Sequence, residues 1–256
     1  MKEPEEVRRL QRRFAVGHTA FLFIVFLPPL AFALQLGLGP DVLYFAGRGL
    51  VLVLTAALLG LICPFMHTCF RPTNRFLLVS VWVPAATFAF VGFMYRHRTS
   101  EAAAALRAPS CFDDPAKKRL QIAYLAADEL YGACMAWRPP PTGAPQEVDS
   151  VTECPEYHVA ARDWDKEFHY LASLERRFPC GGVCYAGRRL WVDPGTYGSS
   201  CSPFAAQWLI MGHTQASVLM GYSIFIIVVL IPSHMLLLSP MVRRYDHALH
   251  ASPHPF

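Results

Sequence analysis

Cysteine is the residue type with the clearest chemistry in this chain, because six of the eight cysteines lie in one polar stretch, residues 95–207. An even number of cysteines in a small polar module is typical of structural disulfides in an oxidising compartment, rather than of a cytosolic metal site. We therefore predict that six cysteines form disulfides: Cys111, Cys134, Cys154, Cys180, Cys184 and Cys201.

Helix geometry excludes one pairing among these six cysteines. Asp114-Pro115 is a typical helix start, with an N-cap residue before a proline at the first helical position. A straight helix over 115–134 would be about 30 Å long. Cys111 and Cys134 could therefore not reach the ~4.4–6.8 Å Cα separation of a disulfide.

The remaining pairings stay open, although we favour a bridge from Cys180 or Cys184 to Cys201, which would tie the middle of the stretch to its end. A redox enzyme is a weaker interpretation of the same residues. Cys180 and Cys184 are separated by one residue more than in the Cys-x-x-Cys motif, whose close spacing lowers the pKa of one thiol.

Other catalytic or cofactor-binding patterns are also weak. His158 and His169 would lie roughly 16 Å apart along one helix, too far to bind one metal ion. The sequence has no glycine loop for phosphate and no serine nucleophile elbow. We therefore expect a protein that is not an enzyme and has no metal or other cofactor.

The composition predicts the elements that hold the cysteine-rich stretch. The chain is 54% hydrophobic and only 16% charged, with a mean hydropathy of +0.28, which is typical of a membrane protein with several spans. Four apolar segments are long enough to be transmembrane helices, and they cover 14–36, 50–66, 76–94 and 208–238. The expected fold class is an all-α membrane protein with a large, disulfide-stapled, mainly helical loop between the third and fourth spans.

Basic residues predict the orientation, because Lys and Arg near the spans favour the cytoplasmic side. They concentrate on the side shared by both termini and the turn at 67–75, at Lys2, Arg8, Arg9, Arg12, Arg13, Arg71, Arg75, Arg243 and Arg244. We therefore expect a cytoplasmic arm at 1–13, transmembrane helices and short loops at 14–94, an extracellular or lumenal domain at 95–207, a last span at 208–238 and a cytoplasmic tail at 239–256. Plasma membrane and endomembrane both suit this arrangement.

Two helices are expected inside the large loop. The first begins at Pro115 and ends before the proline run at 139–141. The second covers 159–177, where Phe168, Leu171 and Leu174 share one apolar side with Trp164.

Cys63 and Cys69 lie near the cytoplasmic end of the second span. Juxtamembrane cysteines on that side are candidates for reversible palmitoylation, and we predict lipidation at Cys69 before Cys63. The alternative for Cys63 is a small, buried apolar side chain.

Four spans, a short first outer loop, a tight inner turn and a large cysteine-rich second outer loop resemble the tetraspanin superfamily over nearly the whole chain. The loop has Pro179-Cys180-Gly181-Gly182-Val183-Cys184 where that superfamily has a Cys-Cys-Gly motif, a departure similar to divergent tetraspanin-like proteins of protists. Cys201 precedes the last span, where the superfamily often has its final loop cysteine. The resemblance implies a membrane organiser, or scaffold, that binds partner proteins laterally and through its large outer loop.

The expected partners are other membrane proteins and the lipid bilayer, with a homo-oligomer or a larger complex left open. We place the partner-binding surface at 159–200, the part of the loop least constrained by the membrane. A structural accessory subunit of a larger complex is the main alternative. An oligomeric channel or transporter is less favoured, because the span cores lack Asp, Glu, Lys and Arg. Nucleic-acid binding is not expected, since the basic residues form no dense patch.

Overall fold

The computed structural model describes residues 5–47, 74–137, 148–233, 235–237 and 240, together with Thr55, Leu58 and Ile62. Cys63 and Cys69, most of the second predicted span and the tail from 241 onward lie outside the described residues. The chain divides into two compact units. We call them the apolar unit, comprising Met1–Gly39, Arg48–Arg96 and His213–Phe256, and the cysteine-rich unit, comprising Pro40–Gly47 and His97–Gly212.

Three long helices in the described part of the chain are apolar enough to cross a membrane. Helix α1 covers Glu5–Leu38, α3 covers Asn74–Arg107 and α6 covers Ser202–Phe225, continuing through a π-helical turn at Ile226–Leu230. Their apolar segments are Thr19–Leu38, Leu78–Arg107 and Ser202–Leu237. Membrane-type helices are thereby confirmed for the first, third and fourth predicted spans, and the second span stays a prediction.

The apolar unit is held together by close helix contact. A Cβ atom added at Gly92 of α3 would lie 2.9 Å from the Met220 amide nitrogen and 3.0 Å from the Ala216 carbonyl oxygen of α6. Phe26 of α1 stacks on Phe88 of α3, with ring centroids 6.3 Å apart. Small residues that let backbones approach are typical of helix packing in membranes.

The cysteine-rich unit contains shorter elements. They are α2 at Pro40–Ala46, α4 at Pro115–Trp137, a 3-10 turn at Val151–Glu153, α5 at Tyr157–Arg177, and the antiparallel strands β1 at Gly187–Arg188 and β2 at Tyr197–Gly198. This unit also includes the carboxyl end of α3 and the start of α6. Its largest buried side chains include Phe168, Leu171, Leu174 and Leu190.

Helices α3 and α6 extend further into the cysteine-rich stretch than we predicted. Helix α3 ends at Arg107 rather than at residue 94, and α6 begins at Ser202 rather than at 208. The run of alanines at 102–105 favours a helical backbone. The side chains of Ala103 and Leu106 are buried, so one side of this extension is packed. Hydropathy marks the end of a membrane span, but it does not mark the end of the helix that contains it.

Helix α4 begins where the sequence predicts. The Lys117 amide donates to Asp114 Oδ1 at 2.8 Å, which confirms the N-cap. The ammonium of Lys117 is buried and donates to the carbonyl oxygens of Leu106 and Ala108 at 3.2 and 2.6 Å, and burial lowers the pKa of this amine. The positive charge of Lys117 stabilises the carboxyl end of α3, and its hydrogen bonds join that end to the start of α4.

Helix α5 begins at Tyr157, slightly before the predicted start at 159, and ends at Arg177 as predicted. Phe168, Leu171 and Leu174 are buried, which confirms the apolar side of the helix. Trp164 has non-helical backbone angles (φ −123°, ψ 24°), so the helix is kinked at the first of the four residues that we predicted to share this apolar side.

Candidate partner-binding surface

Three disulfides fix the cysteine-rich unit. They pair Cys111 with Cys184, Cys134 with Cys154, and Cys180 with Cys201, at Cα separations of 5.7, 5.8 and 5.1 Å. The pairing excluded by helix geometry is absent from these three, and the bridge between Cys180 and Cys201 is one of the two that we favoured. The bridge from Cys111 to Cys184 links residues 73 positions apart, so no local pattern indicates it.

The glycines beside Cys180 let backbone segments stack directly on one another. A Cβ atom at Gly181 would lie 2.5 Å from the Gly187 carbonyl oxygen, and one at Gly198 would lie 2.7 Å from the carbonyl carbon of Cys180. The Gly181 amide donates to the Ser199 carbonyl at 2.9 Å, and the Gly187 amide donates to the Gly181 carbonyl at 2.8 Å. Gly181, Gly187 and Gly198 therefore let the segment after Cys180 lie directly against the backbone of both strands.

A buried carboxylate attaches the start of the β1–β2 loop to α5. Glu175 Oε2 accepts hydrogen bonds from the amides of Leu190 and Trp191 at 2.9 and 2.8 Å. Arg189 Nη2 donates to the Glu175 carbonyl oxygen at 2.9 Å. Burial raises the pKa of Glu175 to about 7, although the backbone amides act in the opposite direction.

Helix α2, from the short loop after α1, packs on α5 through a second buried carboxylate. Asp41 accepts hydrogen bonds from Arg177 Nη1 at 2.6 Å and from the Tyr170 hydroxyl at 2.8 Å. Tyr44 stacks on Tyr170 with ring centroids 4.5 Å apart. Burial raises the pKa of the Tyr170 hydroxyl, and the adjacent Asp41 carboxylate raises it further.

A third buried carboxylate, Glu167, lies on α5 about one helical turn before Tyr170. Glu167 is buried and pairs with Arg119 Nε of α4 at 2.7 Å. The Arg119 guanidinium also lies over the Trp164 ring, 5.6 Å from its centroid. Sequence analysis missed the inward roles of Asp41, Glu167 and Glu175. The signal available was weak: Glu167 and Glu175 lie among the apolar positions of α5, one residue away from Phe168 and Leu174.

The predicted surface, 159–200, contains two strongly exposed tyrosines on this fixed framework. Tyr197 of β2 is 83% exposed and Tyr185 is 63% exposed. Tyr197 lies opposite Arg188 in the strand pair, and Arg188 is held by an ion pair with Asp128 and by contact with the Tyr131 ring. The ion pair with Asp128 raises the pKa of Arg188. Strand β2 and the segment before β1 therefore each present an exposed tyrosine next to an ordered backbone.

A groove of about 340 Å³ lies beside the disulfide between Cys134 and Cys154. The described residues that line it are mostly apolar, at Leu130, Ala133, Cys134, Cys154, Pro155 and Glu156. This groove lies outside the predicted 159–200 surface.

The candidate histidines lie on the surface and do not converge. His169 pairs with Asp165 on the same helix, at 3.4 Å, and both side chains are exposed. Within the described ranges, no group of three or more His, Cys, Asp or Glu side chains is placed to hold a metal ion.

No protein-family model, curated protein or solved structure matches this chain.

Proposed function

We propose that the chain is a tetraspanin-like membrane organiser whose cysteine-rich unit binds partner membrane proteins through residues 159–200. Three helices long and apolar enough to cross a membrane support a membrane location. Three disulfides support an extracellular or lumenal position for the cysteine-rich unit, because disulfides persist in oxidising compartments. Both termini would then lie in the cytoplasm.

The observation that carries this proposal is the exposure of Tyr185 and Tyr197 on a backbone held by disulfides and buried carboxylates. Exposed tyrosines are frequent anchors of protein interfaces, because they bury a large ring at a small cost in side-chain entropy. An ordered base lowers that cost further, because the loop does not have to become ordered on binding.

Site-specific photo-cross-linking in intact membranes tests the proposal. A photoreactive residue at Tyr197 or Tyr185 should capture membrane proteins, whereas the same residue at exposed Glu101 is the matched control. Several partners captured in variable amounts support an organiser. One partner captured at fixed stoichiometry favours a structural subunit of a larger complex. Capture that is equal at Glu101 and at the two tyrosines contradicts a binding surface at 159–200.

A further inference from the structure

Helix α4 has an exposed stripe on the side opposite its buried face. The buried side chains include Leu120, Ala123, Tyr124 and Ala127. Lys118, Ile122, Leu125 and Glu129 follow at steps of four, three and four residues, which places them together on the other side of the helix. Ile122 is 40% exposed and Leu125 is 53% exposed.

The charges of this stripe are symmetric about its apolar centre. The midpoint of the apolar pair, Ile122 and Leu125, falls between residues 123 and 124 of the sequence. The midpoint of the charged pair, Lys118 and Glu129, falls at the same place. Lys118 and Glu129 are both exposed, and neither has an ion-pair partner among the described residues. The stripe therefore carries a positive end, an apolar middle and a negative end, about 16 Å from end to end.

Two exposed aromatic residues follow cysteines that are bonded to each other close to α4. Gln121 Oε1 accepts hydrogen bonds from the amides of Val183 and Cys184 at 3.2 and 2.9 Å, so the segment ending at Cys184 lies against this part of α4. The disulfide of Cys184 brings Cys111 to the same place. The residues that follow these two cysteines, Phe112 and Tyr185, are exposed.

We propose that this stripe binds the same stripe of a second copy of the chain, with the two α4 helices antiparallel about a two-fold axis. In that arrangement Ile122 contacts Leu125 of the second copy, and Lys118 contacts Glu129 of the second copy. Each contact occurs twice, as in any isologous interface. The complementary charges favour this register over a parallel one, which would bring like charges together.

The contact is expected to be weak. The stripe is smaller than the roughly 800 Å² per partner of a standard stable interface, so we expect a dissociation constant on the order of 10 µM. The four stripe residues, Lys118, Ile122, Leu125 and Glu129, do not include the tyrosines proposed to bind partners, so the two proposals can fail independently.

A charge-swap experiment on the purified full chain tests the dimer. The mass of the protein in mild detergent, with disulfides intact, is measured by light scattering as its concentration increases. Lys118→Glu and Glu129→Lys should each weaken dimerisation roughly tenfold, because each variant turns two attractive contacts into repulsive ones. The double variant K118E/E129K restores opposite charges across the axis and should dimerise within about twofold of the wild type.

Matched controls separate this contact from general effects of charge. Lys166→Glu and Asp163→Lys change exposed charges on α5 and should leave dimerisation unchanged. Rescue in the double variant shows that neither substitution acts through misfolding. A wild-type chain that stays monomeric up to about 100 µM overturns the proposal, as does a dimer that the single variants do not weaken or that the double variant does not restore.

Discussion

In the apolar unit, Gly92 lets the backbone of α3 approach the backbone of α6 directly, whereas in the cysteine-rich unit α5 is joined to its neighbours by hydrogen bonds to buried carboxylates, and disulfides link other segments of the unit. The first unit requires only small residues at a crossing point and apolar side chains elsewhere. In the second unit, α5 buries apolar side chains such as Phe168 and Leu171, and the buried carboxylates of Asp41, Glu167 and Glu175 add polar contacts to that core. Two units of one chain can therefore depend on contacts of different chemistry.

The largest effect is expected from removing the longest disulfide. Replacing Cys111 and Cys184 by serine should destabilise the cysteine-rich unit by about 4 kcal/mol, since the bridge closes a long loop. Hydrogen exchange of α5 amides measures the loss. The matched control replaces Cys134 and Cys154, whose bridge closes a shorter loop, and should cost about 3 kcal/mol. Equal or smaller losses in the first variant would show that chain entropy does not rank these bridges.

A smaller and pH-dependent effect is expected at Glu175. Its pKa is raised from 4.5 to about 7 in the folded chain, so the folded state binds the proton more tightly than the unfolded state. The stabilisation is complete below pH 4.5, declines as pH rises toward 7 and is absent above that, a change of about 3 kcal/mol. Thermal unfolding followed by intrinsic tryptophan fluorescence should show this decline.

Glu175→Gln removes the titrating group, so its unfolding should lack that part of the pH dependence. Glu153→Gln, at an exposed position of the 3-10 turn, is the control and should keep the wild-type profile. If Glu175→Gln keeps the wild-type decline between pH 4.5 and 7, another group is responsible.

The smallest effect is expected from the apolar unit. Gly92→Ala places a methyl group against the backbone of α6 and should cost about 1–3 kcal/mol. Gly221→Ala is the matched control, because a Cβ atom there meets nothing within 4 Å. Thermal stability in detergent compares the two variants. A Gly92 variant as stable as the Gly221 variant would mean that the helices separate at this point without cost.

Local patterns predicted much of the fold. The N-cap at Asp114, the apolar side of α5 and three membrane-type helices all follow from spacing within one helix. The contact of Asp41 with Arg177 joins residues 136 positions apart, and the contact with Tyr170 joins residues 129 positions apart. No periodicity encodes such contacts, because they depend on how separate helices meet. The same reason left the disulfide pairing open, apart from the one pair that helix length excludes.

The connectivity of the disulfides also sets an order in time during synthesis. Cys134 and Cys154 are both available before Cys180 has been made, so their bridge can close first. Cys111 must wait for Cys184, and Cys180 must wait for Cys201 at the start of α6. Until then Cys111 and Cys180 are thiols that can attack the bridge already formed. The cysteine-rich unit therefore reaches its final covalent form only when the ribosome has begun the last helix, and its maturation is linked to completion of the membrane-spanning chain.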